Sequence, residues 1–262
     1  MPRHLVAALV VLGLCTGTWA AAPVAGWTPA SQVEIAREAA ELAPPDLRRQ
    51  LVRHLESLAQ GARAPFEGTA AEQHYRNRDG AGTVDRTIAS EVAAAIEALR
   101  APRPFAEVVW RLGVISHYVA DANHPLNAAD DDPEEGRYFA DYARYMQSAE
   151  PRFALVFYAA EPPVESERDV RLLALRALAR GRQLYPLLGE EYRRIGFATG
   201  VGRFDDRSTA FGVAAVSFSH AVSDMARLLR YVWLQSGGAD DRREMWAQQN
   251  RLLLLPRARG SR

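Results

Sequence analysis

The segment that most restricts how this chain can fold is RLGVISHYVADANHPLNAADDD at residues 111–132, an apolar helical run that carries His117, Asp121 and His124 and then stops at Pro125. At about 100° per residue, those three side chains fall within roughly 60° of one another around a helix. Two imidazoles and a carboxylate therefore share one face. Phe105, Val108, Val109, Leu112, Ile115, Tyr118 and Val119 clothe the same helix in apolar side chains, so burial on most sides is expected. Polar groups buried without partners cost several kcal/mol, which leaves two ways to satisfy this face: a metal ion, or a hydrogen-bond network within the core.

The remainder reads as helix after helix. Ile35, Ala39 and Leu42 stand at helical spacing before Pro44 and Pro45 end the run, and Asp46 caps a second predicted helix over 47–60 with Leu51, Leu55 and Leu58 on one side. His54 beside that stripe reads as structural. Residues 61–82 are irregular, and within them Glu67, His74, Tyr75, Asn77 and Asp79 form either an exposed turn or a loop with chemistry in it. Helices are then predicted over 83–99, 138–146 and 168–194. A last one runs from Phe211 to Trp233, with Asp206 or Ser208 as its cap and Gly237 and Gly238 as its stop. The acidic run Asp130, Asp131, Asp132, Glu134 and Glu135 reads as a solvated face, without the alternation of a calcium-binding EF-hand loop. His220 and Asp224, four apart, are placed to bind each other. There is no alternating strand pattern, internal repeat, phosphate-cradling glycine loop or serine elbow. The expected fold is all-α, a single-domain multi-helix bundle.

The 262 residues, 48% of them hydrophobic, suffice for a full core. The 32 basic and 32 acidic side chains cancel, so charge gives no reason for nucleic acid or an anionic membrane as an obligatory partner. The N-terminus has a secretory layout: Arg3 and His4, an apolar run over 5–14, then small residues through Ala25. Residues 1–26 are therefore expected to be a signal peptide cleaved within 20–26, and 27–262 a secreted or periplasmic domain. The apolar run is too short to span a bilayer comfortably, so no transmembrane segment is expected after cleavage. Cys15, the sole cysteine, lies inside the signal, and the bulk of Leu14 before it argues against lipidation.

The run LGVISHYVADANHPLNAA closely resembles the central helix of the zinc-dependent phospholipase C and single-strand nuclease superfamily. The pattern there is His-x3-Asp-x5-His with a proline just before the last ligand. A tryptophan near the mature N-terminus, an IA-x-x-A helix and a loop histidine before the central helix extend the likeness over 27–146. The resemblance implies an all-helical fold and a cluster of three zinc ions that activates water against a phosphodiester. Carried over residue by residue, one zinc site would use His74, His117 and Asp121, with Asp121 also bridging toward a second metal. Trp27 would offer its amino group and carbonyl if cleavage follows Gly26. The family's aspartate in a proline-containing loop, a ligand and the proposed base, aligns with Phe66 or, one residue on, Glu67.

Other positions depart from the pattern. The third residue of the central motif is Asn127, the following His-x3-Glu pair falls near Gly136 and Ala140, and the histidine of the N-terminal helix falls at Gln32. One zinc ion at most is therefore expected. His124, at i+7 from His117, is a candidate to close a His-Asp-His set. The resemblance, with these departures, implies an exported phospholipase C-like protein with a reduced metal site, in which Asp121 and Glu67 act on a phospholipid or nucleotide phosphodiester. The alternative is a catalytically inactive helical binding or structural domain of the same fold.

Overall fold

The apolar run behind Pro104 becomes the axis of the molecule. In the computed structural model, which describes residues 26–158, 161–240 and 252–257, it forms helix α5 (Phe105–Ala122), and α5 packs against α1 (Pro29–Glu41), α3 (Leu55–Arg63), α4 (Val84–Arg100), α7 (Glu167–Arg194) and α8 (Thr209–Gln235). Two further helices, α2 (Pro45–Arg53) and α6 (Phe139–Ala149), complete the eight found among the described residues. From Leu112 to Ala122 every α5 residue is buried. The all-α bundle expected from the periodicity is the one observed. No helix among the described residues is long and apolar enough to cross a membrane. The expected signal peptide, with Cys15, lies outside the described residues except for Gly26.

Helix boundaries follow local chemistry. Thr28 caps α1 by accepting from the Ser31 amide, Ser166 and Asp169 form a reciprocal capping box at the start of α7, and Ser208 caps α8 by accepting from Phe211. Gly237, at φ 86°, ends α8 as expected. The helix predicted over 47–60 is instead two, because the backbone breaks at His54 (φ −113°, ψ 34°), whose ring stacks on Phe105.

A small antiparallel sheet, absent from the sequence-based expectation, pairs β1 (Leu155–Tyr158) with β2 (Leu252–Leu255). Four-residue runs are too short for alternation to separate from a buried helix turn. The other edge of β1 is covered by α8, where Ser219 and Ser223 take the place of a third strand. Their hydroxyls accept from Val156 and Tyr158 N–H and donate to Ala154 and Val156 carbonyls.

Helices α3 and α5 meet at two glycines. A Cβ on Gly61 would fall 1.9 Å from the Trp110 carbonyl oxygen, and one on Gly113 would fall 2.2 Å from that of Leu58. This crossing presses the backbone of α3 against α5 one turn before His117.

Candidate metal centre

His117 and Asp121 project from α5, and His74 arrives from the loop between α3 and α4, where it follows a short helical turn over 71–73. His117 and Asp121 are 0% exposed and His74 is 6% exposed. Their positions are held by main chain as much as by side chains. Because α3 lies so close, His117 Nδ1–H donates to the Ala62 carbonyl at 2.8 Å, in the last turn of α3 where carbonyls run out of intrahelical partners. The Nε2 lone pair of His117 is left facing inward. On His74, Nε2–H donates to Thr69 Oγ1 at 2.8 Å, and Thr69 passes its own proton to the Pro65 carbonyl at 2.7 Å. That direction of donation leaves Nδ1 as the lone pair of His74.

Three acceptors therefore converge. Asp121 Oδ2 lies 2.7 Å from His74 Nδ1 and 3.2 Å from His117 Nε2, and the two nitrogens are 3.3 Å apart. A cation has to sit among them, either a proton or a metal ion. Bonds of about 2.0–2.1 Å in a tetrahedral zinc site separate ligand atoms by about 3.4 Å. Two of the three separations match, while the third is a hydrogen-bond length, so the donor set and its tautomers fit zinc. Burial pushes the Asp121 carboxyl up, but the charge and hydrogen bond of His117, and then of His74, outweigh it and hold it at about 2. Among the described residues this is the one trio of His, Cys, Asp or Glu side chains close enough to hold a metal ion.

The other oxygen of Asp121 is already taken. Gln32 Nε2, 0% exposed, donates to Oδ1 at 3.0 Å, so an amide N–H stands where a bridge to a second metal would begin. The remaining sequence candidates are placed apart from the trio. Glu67 is exposed at the end of a short turn, and the neighbouring Phe66 ring packs edge-on against His117 at 4.8 Å. His124 is fully buried, but its Nδ1 accepts from the Leu126 amide and its ring lies among Trp27, Phe139 and Tyr142. Burial lowers its pKa to about 3 against a small opposing pull from Asp121, so it stays neutral. The side chain of Trp27 is structural, its indole N–H donating to the Ala120 carbonyl at 2.9 Å.

Beside His74 opens a cleft of about 430 Å³, walled by Tyr75, Leu126, Asn127, Glu135 and Phe139. The acidic run borders it and is not a free cation site: Asp131 pairs with Arg78, Asp132 with Arg193, Glu134 with Arg137 and Arg193, and Asp130 accepts from Asn77. Glu135 has no basic partner among the described residues and is instead hydrogen-bonded by the Tyr185 hydroxyl. Burial above all, together with repulsion from Asp130, Asp132 and Asp131, outweighs the hydrogen bond from Tyr185 and raises it to about 7.

A second buried polar cluster lies between α5, α7 and α8. Asp224, 0% exposed, does not bind His220 as its spacing suggested; it accepts from Asn123, Arg180 and Arg227. His220 stacks on Tyr158 with ring centroids 3.7 Å apart and faces Glu161 at 3.4 Å. Glu161, raised by burial but lowered more by His220, Arg180 and Arg227, sits at about 2.

Comparison with known proteins agrees with this geometry at the level of fold. Alpha-toxin of Clostridium perfringens avian strain SWCP superposes with a TM-score of 0.61 at 13% identity, covering 82% of this chain and 66% of its own length. The alpha-toxin of Clostridium absonum does so at 0.59 and 12%, covering 83% and 66%. The chain thus spans just under two thirds of these toxins. No protein-family profile matches it, and no curated protein matches it in sequence. The fold is the all-α bundle of the phospholipase C type.

Proposed function

We propose that this chain is an exported, zinc-dependent phospholipase C-like protein with a reduced, single-metal site held by His74, His117 and Asp121. The observation that carries the reading is the inward convergence of two imidazole lone pairs and a carboxylate oxygen within 3.3 Å, each imidazole fixed by a hydrogen bond on its far nitrogen. A zinc ion held there supplies Lewis acidity, acidifying water and polarising a phosphoryl oxygen. The protein's share is to fix the ligands and bury them. His117 and Asp121 are sealed beneath α3 and Phe66, and His74 alone meets the cleft, so a phosphodiester would approach from that side.

The second reading, a catalytically inactive binding or structural domain, has its own support. Gln32, Phe66 and Asn127 stand where the family pattern places ligands, and Gln32 closes the route to a second metal. Hydrolysis of phosphatidylcholine and of single-stranded DNA by zinc-loaded protein and by His117→Ala decides between them. Turnover lost in the variant supports the enzyme; no turnover by the zinc-loaded wild type leaves the binding or structural domain.

A further inference from the structure

The cleft holds two polar groups to which the metal site gives no task. Asn127 is 6% exposed and its side-chain Nδ2 has no hydrogen-bond partner among the described residues, although it lines the cleft. Its main chain is pinned, with N–H donating to His124 and the carbonyl accepting from Arg76, both at 3.0 Å. A buried, unpaired donor is costly, and a ligand that brings an acceptor relieves it.

Glu135 stands on the same cleft. The Tyr185 hydroxyl accepts from the Asp132 amide and donates to Glu135 Oε2, leaving Oε1 to carry a proton. The groups around Glu135 are Asp130, Asp131 and Asp132 from its own loop and Tyr185 from α7, with Tyr138 and Arg193 engaged by Asp132. The cleft lining contains no Lys or Arg and, besides Glu135, one carboxylate, Asp130, which accepts from Asn77; protonation of Glu135 leaves one fewer charge to repel an anionic diester.

Resting on the phosphodiesterase reading, we propose that Asn127 and Glu135 do the work of the lost metal positions: Asn127 donates to a non-bridging phosphoryl oxygen, and Glu135 protonates the departing alcohol. Water adds to phosphorus and the P–O bond to the alcohol breaks. The electron pair of that bond goes to the alkoxy oxygen, which takes the proton of Glu135, and the proton given up by the attacking water restores it. The products are a phosphomonoester and an alcohol.

The test compares two diesters on zinc-loaded protein. Phosphatidylcholine has an alkyl leaving group that needs a proton, whereas bis(4-nitrophenyl) phosphate does not. Glu135→Gln should lose about 10²-fold or more on the lipid, as expected for removal of a general acid, and hold its rate on the nitrophenyl diester. Asn127→Ala should lose about 10²–10³-fold on both. Equal loss on both substrates in Glu135→Gln, or unchanged rates in Asn127→Ala, overturns the proposal while the metal-site reading stands. A zinc-loaded wild type that turns over neither substrate overturns both. Independently of activity, a carbon-13 NMR titration of the zinc-free protein should place the Glu135 carboxyl midpoint near 7. A midpoint in the ordinary carboxylate range contradicts the role.

Discussion

Two buried polar clusters flank the central helix, and they differ in how donors and acceptors are matched. Around Asp224 the carboxylate is matched by donors: Asn123, Arg180 and Arg227 all direct N–H groups to it, so it calls for no added cation. Around Asp121 the two imidazoles turn lone pairs inward, so three acceptors face each other and the site calls for an added cation. Both carboxylates are fully buried. What separates a structural ion network from a metal site is the direction of each hydrogen bond on the far side of each ligand.

The contrast can be broken from either side. Asp224→Ala leaves Arg227 buried beside a lost partner, and its expected cost is about 3–5 kcal/mol in chemical denaturation, the same with or without zinc. Zinc at a thousandfold excess over its dissociation constant should stabilise the wild type by about 4 kcal/mol, and His117→Ala should abolish that increment. A zinc effect that survives His117→Ala would place the metal elsewhere. Thr69→Val removes the acceptor that orients His74, and zinc affinity should fall about 10–100-fold in calorimetry with little change in the stability of the zinc-free chain.

A pH-dependent effect concerns His124, which lies outside both clusters. Its folded pKa of about 3 lies below the usual 6.5, so the unfolded chain takes up the proton first as pH falls. Stability from this residue is complete above pH 6.5 and is lost progressively toward pH 3, at about 1.4 kcal/mol per pH unit. In His124→Leu, urea denaturation between pH 6 and 4 should show a correspondingly shallower dependence; an unchanged slope would mean that His124 is protonated in the folded state.

The difference between the clusters also marks what the sequence could convey. His117 and Asp121 are legible because a four-residue spacing on one helix needs no tertiary information. His74 comes into the site through its likeness to a family, since a separation of 43 positions from His117 says nothing of proximity on its own. The groups that decide the chemistry leave the weakest trace. The Ala62 carbonyl is main chain, and its reach to His117 depends on the Gly61 and Gly113 crossing, which only the packed structure reveals. Glu67 is the carboxylate nearest the aligned position in sequence, but the turn after Pro65 puts Phe66 inward and Glu67 in solvent. Spacing also makes Asp224 a partner for His220, where three other donors win.

Whether one metal ion belongs among His74, His117 and Asp121 is tested most directly by calorimetric titration of the zinc-free, purified protein with zinc. The predicted result is one equivalent bound by the wild type and none by His117→Ala at the same concentrations. No binding by the wild type, or one equivalent retained by the variant, would contradict it.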